Sequence, residues 1–182
     1  LKYTGQRKGL GSDIAVDRYE LRGKNLWNIK NYSPPLLIVA TRFQGIFVDP
    51  HSRNNQDVMD LPIELRVFYG GNDNLRGFDR QSINNNELGF LTAVSAGLET
   101  RLVEVLPYML EPFFLFDIGQ VGEGRFDLSP PLFTTSGLGV RWPSPFGTLR
   151  ASAARGDILN ENSNTDSIPE DWILFLSFGQ EF

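Results

Sequence analysis

The sequence predicts an all-β fold: an antiparallel transmembrane β-barrel, with about eight strands in this chain. Three observations carry this. Apolar and polar residues alternate with a period of two over many segments, as they do along a strand with one greasy and one polar face. No long segment shows helical spacing, and 18 Gly and 11 Pro break the chain often. The connections alternate between short turns and longer polar loops, the arrangement of a barrel with tight turns on one side of a bilayer. A soluble antiparallel barrel or sandwich is the competing reading, because each period-2 signal is weak by itself.

The segments follow in order. "LKYTGQRK" at the start is the weakest. "DRYELRGK" sets Tyr19 and Leu21 against Arg18, Glu20, Arg22 and Lys24. "LLIVATRFQ" separates Leu37, Val39, Thr41 and Phe43 from Arg42 and Gln44. "GFLTAVSAGLETRL" places Phe90, Thr92, Val94, Ala96, Leu98 and Leu102 on one side, and Gly89, Ser95, Gly97, Glu99 and Arg101 on the other. "PFFLFDIGQVG" is apolar on both faces until Asp117. "FTTSGLGVRW" separates Leu138, Val140 and Trp142 from Gly137, Gly139 and Arg141. "TLRASA" separates Leu149, Ala151 and Ala153 from Arg150 and Ser152. In "DWILFLSFGQEF", Trp172, Leu174, Leu176, Phe178 and Phe182 share a face, with Gln180 the exception. Aromatics at both ends of an apolar face suit a strand whose rings sit at the two bilayer interfaces. Strand lengths approach the roughly 9–11 residues of a tilted membrane strand. "VLPYMLEP" and "WPSPFG" are the short connections; "GEGRFDLSPP", "DILNENSNTDSIPE" and a stretch at about 49–88 are the long ones.

Composition sets the outer limits. At 182 residues the chain is long enough for one domain with a core, spanning 1–182. Seventeen basic against 22 acidic residues give a net charge of -5, which argues against a nucleic-acid partner. The absence of Cys excludes disulfides and thiolate metal sites. No apolar run approaches the roughly 18 residues of a membrane helix. The chain starts at Leu1 without a signal-peptide pattern, read as a removed leader or a part of a longer chain.

Within the longest loop, "FYGGNDNLRGFDR" (68–80) is glycine-bent and carries Arg76 between Leu75 and Gly77-Phe78. Five motifs occur in order. The first is "LPIELRVFYGGNDNLRGF", with Leu61, Pro62, Phe68, Gly70, Gly71, Leu75, Arg76, Gly77 and Phe78. "AGLETR" follows with Glu99, then "FFLFDIGQVG" with Asp117 and Gly119, then "GLGVRWPSPFGTLR". The last is "FLSFGQEF", a terminal signal strand with Phe178, Gly179 and a closing Phe182. In these motifs the chain resembles the BamA/TamA-type superfamily of outer-membrane assembly and translocation barrels, which includes the bacterial surface antigen family.

The resemblance implies that the loop folds back into the barrel lumen. It implies that Arg76 meets Glu99 and Asp117 on the wall through charge-assisted, bidentate hydrogen bonds. Independently, the alternation puts Glu99 on the polar side of its strand. Gly70, Gly71 and Gly77 are expected to allow the sharp turn and close approach, and Phe78 to pack beside the arginine. Barrels of the resembled family have sixteen strands. The chain is therefore expected to be the C-terminal half of a barrel or one protomer of a composite barrel; a small closed barrel with its loop outside is the third case. The function implied is insertion, secretion or translocation of proteins or lipids at the bacterial outer membrane, or an equivalent organelle outer membrane. The alternative is a pore, or an anchor for an attached patatin-like enzyme. Expected partners are outer-membrane lipids, client outer-membrane or secreted proteins, and a second copy or an N-terminal half completing the barrel. The family's periplasmic POTRA modules are not in this sequence.

No catalytic, metal or cofactor site is read from the residues. His51, the single histidine, sits in a polar loop and is expected to be a surface residue. No GxSxG, Walker or HExxH pattern occurs. Arg22, Arg42, Arg141 and Arg150, on polar faces, either line a pore or pair with Glu20 and other acids.

Overall fold

A computed structural model describes residues 1–6, 15–51, 61–83, 89–159 and 171–179. Eight strands form one sheet: β1 (Lys2–Gln6), β2 (Val16–Asn28), β3 (Leu37–Pro50), β4 (Thr92–Leu102), β5 (Glu111–Gly122), β6 (Ser129–Ser144), β7 (Gly147–Leu159) and β8 (Trp172–Phe178). They lie in sequence order, each antiparallel to the next. Among the described residues the sheet is open: β1 pairs only with β2, and β8 only with β7. The only helices there are three single 3-10 turns, at Ile29–Asn31, Ile63–Leu65 and Pro107–Met109.

The period-2 pattern becomes two faces. On one face of β4, Ser95, Glu99 and Arg101 are buried, while Leu98 and Leu102 on the other are exposed. β5, which reads as apolar on both sides, is resolved by what each side meets. Phe113, Leu115 and Asp117 are buried, whereas Phe114 and Phe116 are exposed. On β8 the sequence alternation is fully retained, with Leu174 and Leu176 exposed at 80% and 79%. A continuous apolar face of this kind is what water does not tolerate and lipid does.

The other face is covered by part of the β3–β4 connection. Residues 61–83 lie against the sheet, and Leu61, Val67, Tyr69, Leu75, Phe78 and Ile83 bury into a cluster with Ile46, Val48, Ala93, Val121 and Phe133. Each such large apolar side chain contributes roughly 1.5–3 kcal/mol when fully buried. Phe90 and Thr92, expected on the outer face, are buried. Phe90 precedes β4 and pairs with the loop, through a bridge with Val67, whereas Thr92 stays paired within the sheet and its Oγ1 donates to the Gly124 carbonyl at 3.1 Å. An open sheet with its loop laid against it is not the geometry of a small closed barrel with the loop outside.

Candidate functional site

The loop turns on itself before it meets the sheet. Gly70 and Gly71 hold φ of +105° and +110°, which L side chains rarely adopt. At Gly70 a Cβ would sit 2.4 Å from the Asp79 carbonyl. The Asn74 side-chain oxygen accepts from the Gly70 and Leu75 amides at 3.0 and 2.8 Å, and the Gly71 amide donates to the Leu75 carbonyl at 3.1 Å. This compact turn presents Leu75, Arg76, Gly77 and Phe78 to the sheet as one unit.

Register prepares the receiving surface. Arg42, Gly97, Asp117, Thr135 and Gly156 are successive cross-strand partners on β3, β4, β5, β6 and β7. Two of the five are glycines, and they provide the space. A Cβ on Gly97 would lie 2.5 Å from Asp117 Oδ1, and one on Gly156 would lie 2.6 Å from the Phe78 ring. Gly77 runs so close to β7 that its own Cβ would be 2.4 Å from the Gly156 nitrogen. The Gly77 amide donates to Thr135 Oγ1 at 3.1 Å.

Onto this row comes Arg76, fully buried. Its Nε donates to Asp117 Oδ2 at 2.9 Å and its Nη2 to Asp117 Oδ1 at 2.7 Å, a bidentate fork. Nη1 donates to Glu99 Oε2 at 2.5 Å, and the backbone amide adds a bond to Asp117 Oδ2 at 3.2 Å. Both acids are fully buried as well. Phe78 meets Phe133 edge-on, with centroids 5.6 Å apart, and Leu75 packs on Gly119. Tyr69 donates to Ser95 Oγ at 2.9 Å. Burial pushes its phenol up to about 12, so it remains a neutral donor at physiological pH.

The structure thus brings together Arg76, Glu99 and Asp117, with Gly70, Gly71, Leu75, Gly77 and Phe78 as their frame. It also recruits residues the sequence did not assign to the site. Arg42 donates to the Asn72 and Asn74 carbonyls at 2.8 and 2.9 Å while its Nη2 lies 3.0 Å from Asp117 Oδ2. The loop is therefore held in both directions: its own arginine reaches the sheet's acids, and the sheet's arginine reaches the loop's carbonyls. Glu99 is shared further, with Arg101 Nε at 2.8 Å and Arg150 Nη2 at 2.6 Å, and Arg150 also lies over the Phe113 ring at 4.4 Å. The polar-face arginines left open by the sequence all contact acids: Arg22 meets Glu20, Arg42 meets Asp117, Arg141 meets Glu111 at 2.7 Å, and Arg150 meets Glu99. The signal for this was the small residues on the polar faces of β4 and β7, which mark where another backbone must approach.

Two further expectations remain. His51 is exposed, as expected of a surface residue, and its Nε2 lies 2.6 Å from Asp17 Oδ2. In the terminal segment, Phe178 is exposed and ends β8, while Gly179 follows the strand at φ +104°, its amide donating to the Thr148 carbonyl at 3.0 Å. Phe182 lies outside the described residues, as do 52–60 and 84–88 of the long loop.

An open all-antiparallel sheet with one apolar face, and a glycine-hinged loop clasped to the other by a buried arginine, defines a class: part of a β-barrel of the outer-membrane type. The Omp85 superfamily domain matches residues 1–180, so the chain belongs to the Omp85 superfamily. Its members are outer-membrane proteins associated with protein insertion and translocation. A comparison with curated proteins finds no match.

Proposed function

We propose that this chain forms one section of an outer-membrane barrel that inserts or translocates proteins, and that residues 61–83 are a loop docked in its lumen to brace the wall. The observation that carries the reading is the clasp between Arg76 and the buried pair Glu99 and Asp117. Three ionised groups withdrawn from water are costly unless mutually paired. An arrangement of this cost fixes a single position of the loop across five strands, β3 to β7. A brace matters for a barrel whose sheet must open and reseal without collapsing. Superfamily membership supplies the class of activity. The free edges of β1 and β8 supply the need for completion, since unpaired backbone is not tolerated in hydrocarbon. The remaining strands come from the rest of a longer chain or from a second copy.

The test is reconstitution of the complete protein in vesicles, with unfolded outer-membrane barrel clients added outside. Accelerated client folding that Arg76→Ala abolishes supports the reading. Ion conductance with no effect on client folding overturns it in favour of a pore.

A further inference from the structure

Three connections lie at the same end of the sheet: 29–36 between β2 and β3, 103–110 between β4 and β5, and 145–146 between β6 and β7. They are eight, eight and two residues long, and in a barrel such turns normally stand in water. Here their tips are apolar. Tyr108, Met109 and Phe146 are exposed at 85%, 70% and 89%, and Leu36 at 50%. Lys30 and Glu104 are the only charged residues in these three segments. Tyr108 and Met109 also hold φ of +63° and +59°, a region that costs bulky side chains about 1–2 kcal/mol each. A turn that only reversed the chain would place Gly or Asn there. Strain at an exposed aromatic tip points to a presented side chain.

The strands above the tips indicate the surface to which they are presented. On β7 the outer apolar positions Leu149, Ala151 and Ala153 give way to Arg155, and on β6 Leu138, Val140 and Trp142 give way to Ser136. Four residue steps on β7 span about 13 Å along the strand, or roughly 10 Å of height at barrel tilt, against an apolar band about 25 Å tall. Toward the other end Trp172, the partner of Arg155, is exposed as well, and in the direction of the turn the greasy surface continues through Phe146 and the Phe178 ring, which lies 3.1 Å from where a Gly147 Cβ would be. The tips are spaced two strands apart, about 10 Å, along the rim of the sheet. They form an extended row that continues the lipid-facing side, with Lys30 and Glu104 as its charged residues, whereas a protein-docking patch is compact and rimmed by polar residues.

We infer that the turn tips at Tyr108, Met109 and Phe146 are seated in the headgroup–acyl boundary of the near bilayer leaflet, so that this end of the sheet is anchored in lipid. The inference rests on the membrane-barrel reading, and its test separates the two. This chain has no cysteine, and any elsewhere in the complete protein are replaced by serine, so a single one can be placed and labelled without background. Tyr108→Cys, Phe146→Cys and, as a reference on the outer face, Leu174→Cys are each labelled with a polarity-sensitive fluorophore. The complete protein is then folded into phosphatidylcholine vesicles, with folding checked by heat-modifiable electrophoretic mobility. Met109→Cys replaces Tyr108→Cys if the latter does not fold. The expected result is blue-shifted emission at the tips, quenched by nitroxide placed near the acyl carbonyls and shielded from iodide. Iodide quenching at the tips with a lipid-shielded probe at 174 overturns the inference and leaves the membrane reading intact, the outcome for turns held in water or against a protein. Iodide quenching at all positions overturns both.

Discussion

Arg76 spends its donors on two carboxylates that have no access to water, so its removal leaves Glu99 and Asp117 together in a dry site. Arg76→Ala is expected to cost about 3–5 kcal/mol, read as a lower urea midpoint and a lower temperature of the electrophoretic heat shift. Arg76→Lys should recover only part of this, because an ammonium cannot span both oxygens of Asp117 and still reach Glu99. Arg42 and Arg76 both contact the Asp117 carboxylate and share its Oδ2. In a double-mutant cycle, Arg42→Ala and Arg76→Ala should therefore fail to add, with a coupling of about 0.5–3 kcal/mol. Additive losses would mean that Asp117 does not link them. Of this cluster, Glu99 was legible because its strand alternates cleanly, and Arg76 and Asp117 because of the motifs around them. The parts played by Arg42, Arg101 and Arg150 depend on which residues pair across β3 to β7, and period-2 alternation assigns a face without fixing register.

At the scale of the loop and the strands beneath it, contact depends on missing side chains. Gly156→Val drives a branched group into the Phe78 ring and the Gly77 carbonyl without touching a charge. It should cost about 1–3 kcal/mol by overpacking and raise protease cleavage within 61–83. Gly23 is the control: nothing lies within 4 Å of a Cβ there, so Gly23→Ala should be neutral to slightly stabilising. Equal losses at both positions would show that the sheet, rather than the docked loop, senses these changes. The strands themselves were legible one by one, and β8 most clearly. The departure at Phe90 has a tertiary cause: it obeys the alternation in sequence but bridges the loop at Val67. Local pattern carries no information about a partner that arrives from 23 residues upstream, the separation of Phe90 from Val67.

For the whole molecule, what surrounds the apolar face distinguishes a membrane sheet from half of a soluble sandwich. Leu174 is exposed in the middle of β8. In a bilayer, Leu174→Lys should cost about 2–4 kcal/mol if that position is near the midplane, measured by equilibrium unfolding in vesicles. A value near zero would place this face in water. Strand number and direction have one more consequence. Seven antiparallel pairings in an unbroken row make the first and last strands run in opposite senses. A second sheet of identical polarity can then be joined at either end, or at both, and every new junction is itself antiparallel. An odd count would force a parallel seam, as a chain that doubles itself end to end must otherwise accept. The eight-strand unit is thus a module that tandem duplication or pairing of copies can enlarge while every neighbouring strand keeps its alternating direction.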